Sequence, residues 1–386
     1  MRPIFSRWRW LGPRRVAGGK RLERAGRLLL LQVVLLVGFL PAGEAGRVID
    51  PTQEDVAAAI REGMELTVRN RFEQADSLFH RLIQKYPDQP FGYFYVAANL
   101  QAWMLDEEDF SRSGLFQLYL NRVLVRCDSL EKIDPNNGWL AFYRGSAHLY
   151  KGFLNSKLGH WWGAYREARK GVKELERVLA KDSTLYDALL GIGSYKYWKS
   201  AKSGVLRFLP LIADEREEGL RLVEKAIERG HFVYWVGRDQ LAWMLIDSKQ
   251  WERALALAKE NHQQIPESRF FLWTLSEALA RSGKYREALP VYRQLLESIR
   301  ADGPKNHFNE LHCLTKMAEI NLALSRYREA DSLARAGLAL PLRSAVSRRA
   351  KGRLKKLRKV LKVCAPFLAG RQKNAPVEEA SVLPER

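Results

Sequence analysis

Two short segments 34 residues apart, Trp251-Glu252-Arg253-Ala254 and Tyr285-Arg286-Glu287-Ala288, constrain this chain more than anything else in it. Each lies between two helix-length stretches, and each puts a small residue three positions after an aromatic one. That interval fits a unit of two helices of roughly 13 to 15 residues joined by short turns, stacked on copies of itself. Helices approach closely only where side chains are small, so Ala254 and Ala288 are expected where the second helix of each unit meets the first. Gly283, just before Tyr285, suits a turn that needs backbone freedom. Pro266 ends its unit because proline has no N–H with which to continue a helix.

The same ruler fits elsewhere. Gly63, Ala75, Phe79 and Pro87 hold the small, small, aromatic and proline positions, and Ala318, Tyr327 and Ala330 repeat the small–aromatic–small part. On these residues the chain resembles the tetratricopeptide repeat (TPR) family, and exported bacterial members of it in particular. The resemblance implies an all-α, TPR-like α-solenoid of helical hairpins, here about seven of them over residues 46–342. In the middle, Pro87, Pro135, Asp182 and Gly230 follow one another at 48, 47 and 48 residues, which predicts enlarged hairpins. Their helices are expected near 89–105 and 114–132, 137–158 and 162–181, and 184–202 and 212–229.

The formal charge of +20 looks at first like a nucleic-acid signal, but the ends carry nearly all of it. Residues 1–45 have nine basic and two acidic side chains, and residues 343–386 have thirteen and three. The repeat region is close to neutral and lacks the continuous basic footprint of a nucleic-acid binder. Cys127, Cys313 and Cys364 are too scattered for a disulfide framework or a zinc site.

At the N-terminus nine basic residues precede the uncharged run 28–40, then Pro41 and the small residues of Gly43-Glu44-Ala45. This order describes a secretory signal peptide over residues 1–45, and thirteen apolar residues fall short of the ~20 that span a bilayer. An uncleaved anchor, a mitochondrial transit peptide and a buried helix remain open. The signal peptide reading places the repeats outside the cytoplasm, in a bacterial periplasm or envelope.

At the other end, residues 343–362 hold ten basic residues and no acidic one. Val346, Ala350, Leu354, Leu357, Leu361 and Cys364 recur at steps of three and four, giving one apolar stripe on a basic helix. A solenoid needs such a helix, over 343–369, to cap its last hairpin. The same charge would also attract anionic lipid or lipopolysaccharide. Residues 370–386 are expected to be disordered.

In TPR arrays the first helix of each pair lines a concave surface that holds extended peptides. By register from Ala254 and Ala288, the lining here would include Asp239, Trp243, Ile246, Phe270, Trp273, Glu277 and Arg281; Trp243 and Trp273 could equally be core. Lysines and asparagines that would clamp a peptide carboxylate are missing from these positions. Residues 195–219, with Tyr195, Tyr197, Trp198, Arg207 and Phe208, read as a helix end and long loop. Gly191 and Gly193 read as close helix packing, and Asp106 and Asp109 as solvated acids in a turn. His307, Glu310, His312 and Cys313 spread around a helix and make a poor metal set. No catalytic motif is present. The chain therefore reads as a non-enzymatic scaffold for a protein or peptide, needing no cofactor, small-molecule substrate or nucleic acid. The alternative is an envelope-surface tether acting through its basic C-terminal helix.

Overall fold

The structure, a computed structural model, describes residues 46–202, 214–303 and 306–372. Residues 1–45, where a signal peptide is expected, Arg207 and Phe208, and all of the tail beyond Gln372 lie outside the described residues. The described helices belong to one compact unit that begins at Val48.

Among the described residues there are fifteen helices and no strand. Fourteen of them form seven hairpins in chain order. The first is α1 (Glu54–Val68) with α2 (Phe72–Lys85). Then come α3 (Pro90–Glu107) with α4 (Ser113–Glu131), α5 (Gly138–Lys157) with α6 (Trp161–Lys181), and α7 (Asp187–Lys202) with α8 (Arg216–Arg229). Three shorter pairs follow: α9 (Tyr234–Asp247) with α10 (Trp251–Gln264), α11 (Arg269–Arg281) with α12 (Tyr285–Ala301), and α13 (Phe308–Ala323) with α14 (Tyr327–Leu338). The basic helix α15 (Ser344–Gln372) packs on α13 and α14 and closes the row. It runs three residues past the expected boundary at 369.

The spacing that marks each repeat has a steric basis. Ala75, Ala254, Ala288, Ala318 and Ala330 are all 0% exposed. A Cβ on Gly63 would come within 2.3 Å of Phe79 Cε1, so the glycine of α1 makes room for the ring of α2. Pro87 and Pro266 lie in the links between hairpins. In the third and fourth hairpins glycine pairs replace alanine. A Cβ on Gly171 would sit 2.6 Å from the Gly145 carbonyl oxygen, and one on Gly193 2.7 Å from that of Gly219. These are the points where α5 meets α6 and α7 meets α8.

Each described turn within a hairpin contains one residue in the left-handed region: Asn70, Glu108, Gly159, Lys249, Gly283 and Ser325. Only two are glycines, so the turn geometry is imposed on side chains that rarely adopt it.

The row curves tightly enough to meet itself. Asp187, buried in the first turn of α7, accepts from the backbone N–H groups of His231 and Phe232, each at 2.8 Å. Held this way, Phe232 packs against Tyr95 of α3 and Trp139 of α5 and joins the core of the first hairpins. Arg61 of α1 lies over the same ring at 5.7 Å. Further on, Phe72 of α2 meets Phe270 of α11 edge to face, with centroids 6.5 Å apart. Asn309 of α13 donates to the Asp106 carbonyl at 2.7 Å. The first two hairpins thus touch the last three.

Asp106 is not a solvated turn acid. It is 7% exposed near the end of α3 and meets the guanidinium of Arg269. Tyr195, Tyr197 and Trp198 lie in the last turns of α7, at the helix end expected for them.

Candidate functional site

Successive first helices pack on one another from α1 to α11, and α9 and α11 carry the side chains expected to line the inner face. Their fates differ. Ile246 is 1% exposed and belongs to the core shared by the last four hairpins. Phe270 is half-buried against Phe72. Trp243 and Trp273 are half-buried, each with one side on that same core. Arg281 is exposed at the end of α11. Asp239, on α9, is half-buried, but its Oδ1 is shielded from solvent and has no hydrogen-bond partner. Burial pushes its carboxyl up to about 7. Trp243 lies one helical turn further along the same face.

Glu277 is only 2% exposed and is the hub of a polar cluster. Tyr292 Oη donates to its Oε1 at 2.8 Å, and Lys316 Nζ lies 2.7 Å from the same oxygen. Arg281 Nε donates to Oε2 at 2.9 Å, and His312 Nε2 stands 3.5 Å from Oε1. Burial opposes the charge on Glu277, but His312 and Lys316 outweigh it and hold the carboxyl well below the usual range. Burial also lowers the basicity of His312, against the pull of Glu277. Arg353 of α15 donates to His312 Nδ1 at 3.0 Å, which leaves the ring proton on Nε2, facing Glu277. Trp273 packs on the His312 ring with centroids 4.8 Å apart. Helices α11, α12 and α13 therefore share one carboxylate, and α15 braces it through His312.

The other residues singled out from sequence do not assemble into a reactive site. His307 pairs with Glu310 at 2.8 Å while His312 turns toward Glu277, so the metal-like set points apart. Among the described residues no group of His, Cys, Asp and Glu could hold a metal ion. All three cysteines are buried and free, and burial pushes the Cys127 thiol up to about 12. At the start of α8, Asp214 grips Arg216 while Glu215 and Glu218 pair with Lys196.

The register missed Tyr292, Lys316 and Arg353 around Glu277. A signal was present: Trp243, Glu277 and His312 follow at 34 and then 35 residues. The alanine step into the seventh hairpin is longer, 42 residues from Ala288 to Ala330, so His312 falls seven residues, about two turns of α13, before the position that matches Glu277, and on the same face.

No family model matches the chain, and no curated protein matches it. Solved structures similar to it include the C-terminal part of a TPR repeat-containing protein from Cytophaga hutchinsonii, at 17% identity and a TM-score of 0.37, covering 77% of this chain and 99% of that one. The Rap protein complexed with competence and sporulation factor gives 14% identity and a TM-score of 0.44, covering 83% and 88%. Yeast Tom70 gives 15% identity and a TM-score of 0.41; the match covers 92% of this chain but only 62% of Tom70.

Proposed function

We propose that the protein is a non-enzymatic scaffold that binds a protein or peptide partner in the cell envelope through the inner face of its later hairpins. The observation that carries this reading is Asp239: a shielded carboxylate oxygen without a partner, one turn from the half-exposed indole of Trp243. With a small shift of the side chains that cover it, a partner N–H or hydroxyl would satisfy the oxygen while an apolar side chain packed on the indole. Arg and Trp dominate binding surfaces of this kind, and Arg281 and Trp273 continue the face along α11. Side chains already ordered by the fold lose little entropy on docking. The envelope location rests on the order of charge and apolar residues in 1–45.

The test is a photo-crosslinking amino acid placed at 243, at 273, and at the exposed control position 259. One common adduct from an envelope fraction at 243 and 273, absent at 259, is the expected result. Adducts at 259 alone, or none at the inner positions, would overturn the reading.

A second reading, a tether through α15, is supported by charge alone. Val346, Ala350, Leu357 and Cys364 are buried against α13 and α14, so the apolar stripe is occupied. Arg348, Lys351, Lys355, Arg358 and Lys362 are exposed at steps of three and four along one face. Attraction of such a stripe to anionic lipid or lipopolysaccharide would fade steeply with salt. Binding that persists unchanged in high salt would exclude it.

A further inference from the structure

The turn joining α5 and α6 carries a group of side chains that packing within the chain does not explain. Trp161 and Trp162 are 71% and 74% exposed, the two most exposed large hydrophobic residues among those described. Phe153, Leu158 and Tyr165 beside them are also exposed. The Trp162 and Tyr165 rings lie 5.8 Å apart, so the group is one surface. This hairpin has the longest helices of the seven, 20 and 21 residues.

Charge surrounds it. Between 151 and 173 there are six cations, Lys151, Lys157, Arg166, Arg169, Lys170 and Lys173, and one carboxylate, Glu167, which is half-buried against His148. Lys157 lies over the Phe153 ring at 5.6 Å and Arg169 over the Tyr165 ring at 5.9 Å. Lower on α6, Arg169, Lys170 and Lys173 line an open cleft of about 560 Å³ together with Val172, Glu176 and, from α7, Tyr195.

These residues are graded along the hairpin. Indoles stand at the turn, and the cationic cleft begins seven residues from Trp162, roughly 10 Å along the helix axis. An aromatic end of that depth matches the ~5–10 Å to which interfacial segments enter a bilayer, with the cleft cations left at the level of the phosphates and the long stems of Lys157 and Arg166, nearer the turn, able to reach back to it. Tryptophan and tyrosine favour that boundary because their rings are apolar with one polar atom. A protein partner would explain exposed aromatics, but not a gradient from indole to cation along one axis. We propose that the α5–α6 turn docks the protein on an anionic lipid bilayer, its two tryptophans entering the interface and the α6 cleft receiving lipid phosphates. This site is separate from the inner face and from α15.

The test uses the full chain with vesicles of phosphatidylcholine alone or with about one third phosphatidylglycerol, a level that gives a strongly negative surface. Trp161→Ser with Trp162→Ser is expected to weaken binding to the anionic vesicles at least tenfold with an unchanged circular dichroism spectrum. The same variant should lose most of the tryptophan quenching caused by brominated lipid. Arg169→Glu with Lys173→Glu should remove the preference for the anionic vesicles. A tryptophan variant that binds and quenches as the parent does would overturn the proposal. So would binding abolished only by reversing charge at Lys355, Arg358 and Lys362, or a crosslinker at position 162 that captures protein while vesicles are ignored.

Discussion

Asp106 and Arg269, 163 residues apart, are joined by a forked ion pair in which Arg269 Nε lies 2.9 Å and 3.0 Å from the two carboxylate oxygens. Both residues are buried, and Asp302 takes the other side of the guanidinium. The pair fastens the second hairpin to the sixth. Removing one member of such a pair leaves a charge buried without its partner, whereas replacing both with apolar groups can cost little. Asp106→Ala should therefore lower unfolding free energy by about 3–5 kcal/mol. Asp106→Leu with Arg269→Met should recover most of it, as read by urea titration.

Glu277 gives a prediction with a pH signature. Because the folded chain holds this carboxyl below its usual range, its contribution is present above an unfolded value near 4.3 and is lost as pH falls through the folded one. Glu277→Gln should cost about 2–4 kcal/mol at pH 7, since Lys316 and Arg281 lose their counter-charge. The gap to the parent protein should narrow as pH drops below about 4. A gap that holds constant with pH would mean that the shape of the side chain, not its charge, is what the cluster needs.

Asp239 has the opposite sign. The folded chain keeps its proton up to about 7, whereas the unfolded chain releases it near 3.9. The group favours folding below that lower value, and the contribution is lost as pH rises through 7. Asp239→Asn removes the ionisation, so the variant should gain on the parent protein by about 2–4 kcal/mol as pH rises from about 4 to 8. Melting curves at the two pH values decide it.

The glycines allow a paired test. Gly193→Val would press against the backbone of α8, where even a Cβ stands 2.7 Å from the Gly219 oxygen, and should cost about 3 kcal/mol or more. At Gly352, on α15, a Cβ would find no other atom within 4 Å, so Gly352→Ala should stabilise by about 0.5–1 kcal/mol. Equal effects of the two substitutions would contradict the close approach of α7 and α8.

Much of the fold was legible because each repeat states its own packing. In the repeats of standard length an aromatic residue three positions before an alanine identifies the crossing point of two helices, and Ala75, Ala254, Ala288 and Ala330 are all buried. Even the enlarged hairpins could be bounded to within a few residues. Of the crossing points in the third and fourth hairpins only Gly193 was read from the sequence, although Gly145 and Gly193 are 48 residues apart, as are Gly171 and Gly219. The turns were harder. Gly283 advertises a left-handed residue, but Lys249 and Ser325 adopt the same conformation with nothing in their chemistry to announce it.

The candidate site was legible only in direction. Register assigns Ile246 and Glu277 to the inner helices, where they lie, but it cannot say how sharply successive hairpins turn. That angle depends on contacts such as Asp106 with Arg269 and Phe72 with Phe270, between residues that no local pattern relates. Once the row bends far enough, an inner position becomes interior. Ile246 and Glu277 crossed that line, while Trp243, Trp273 and Arg281 kept part of their surface.

The meeting of the first two hairpins with the last three changes how the molecule should come apart. An open stack of repeats loses stability one nearest-neighbour interface at a time, so its ends can fray while its middle persists. Here the contacts between distant hairpins tie the two ends of the row to a common fate, and fraying either end breaks them. Loss of the seventh hairpin would unseat Asn309 from Asp106 as well as shorten the array. A single sharp transition, slow to form because so many of its contacts are remote in sequence, is the expected behaviour.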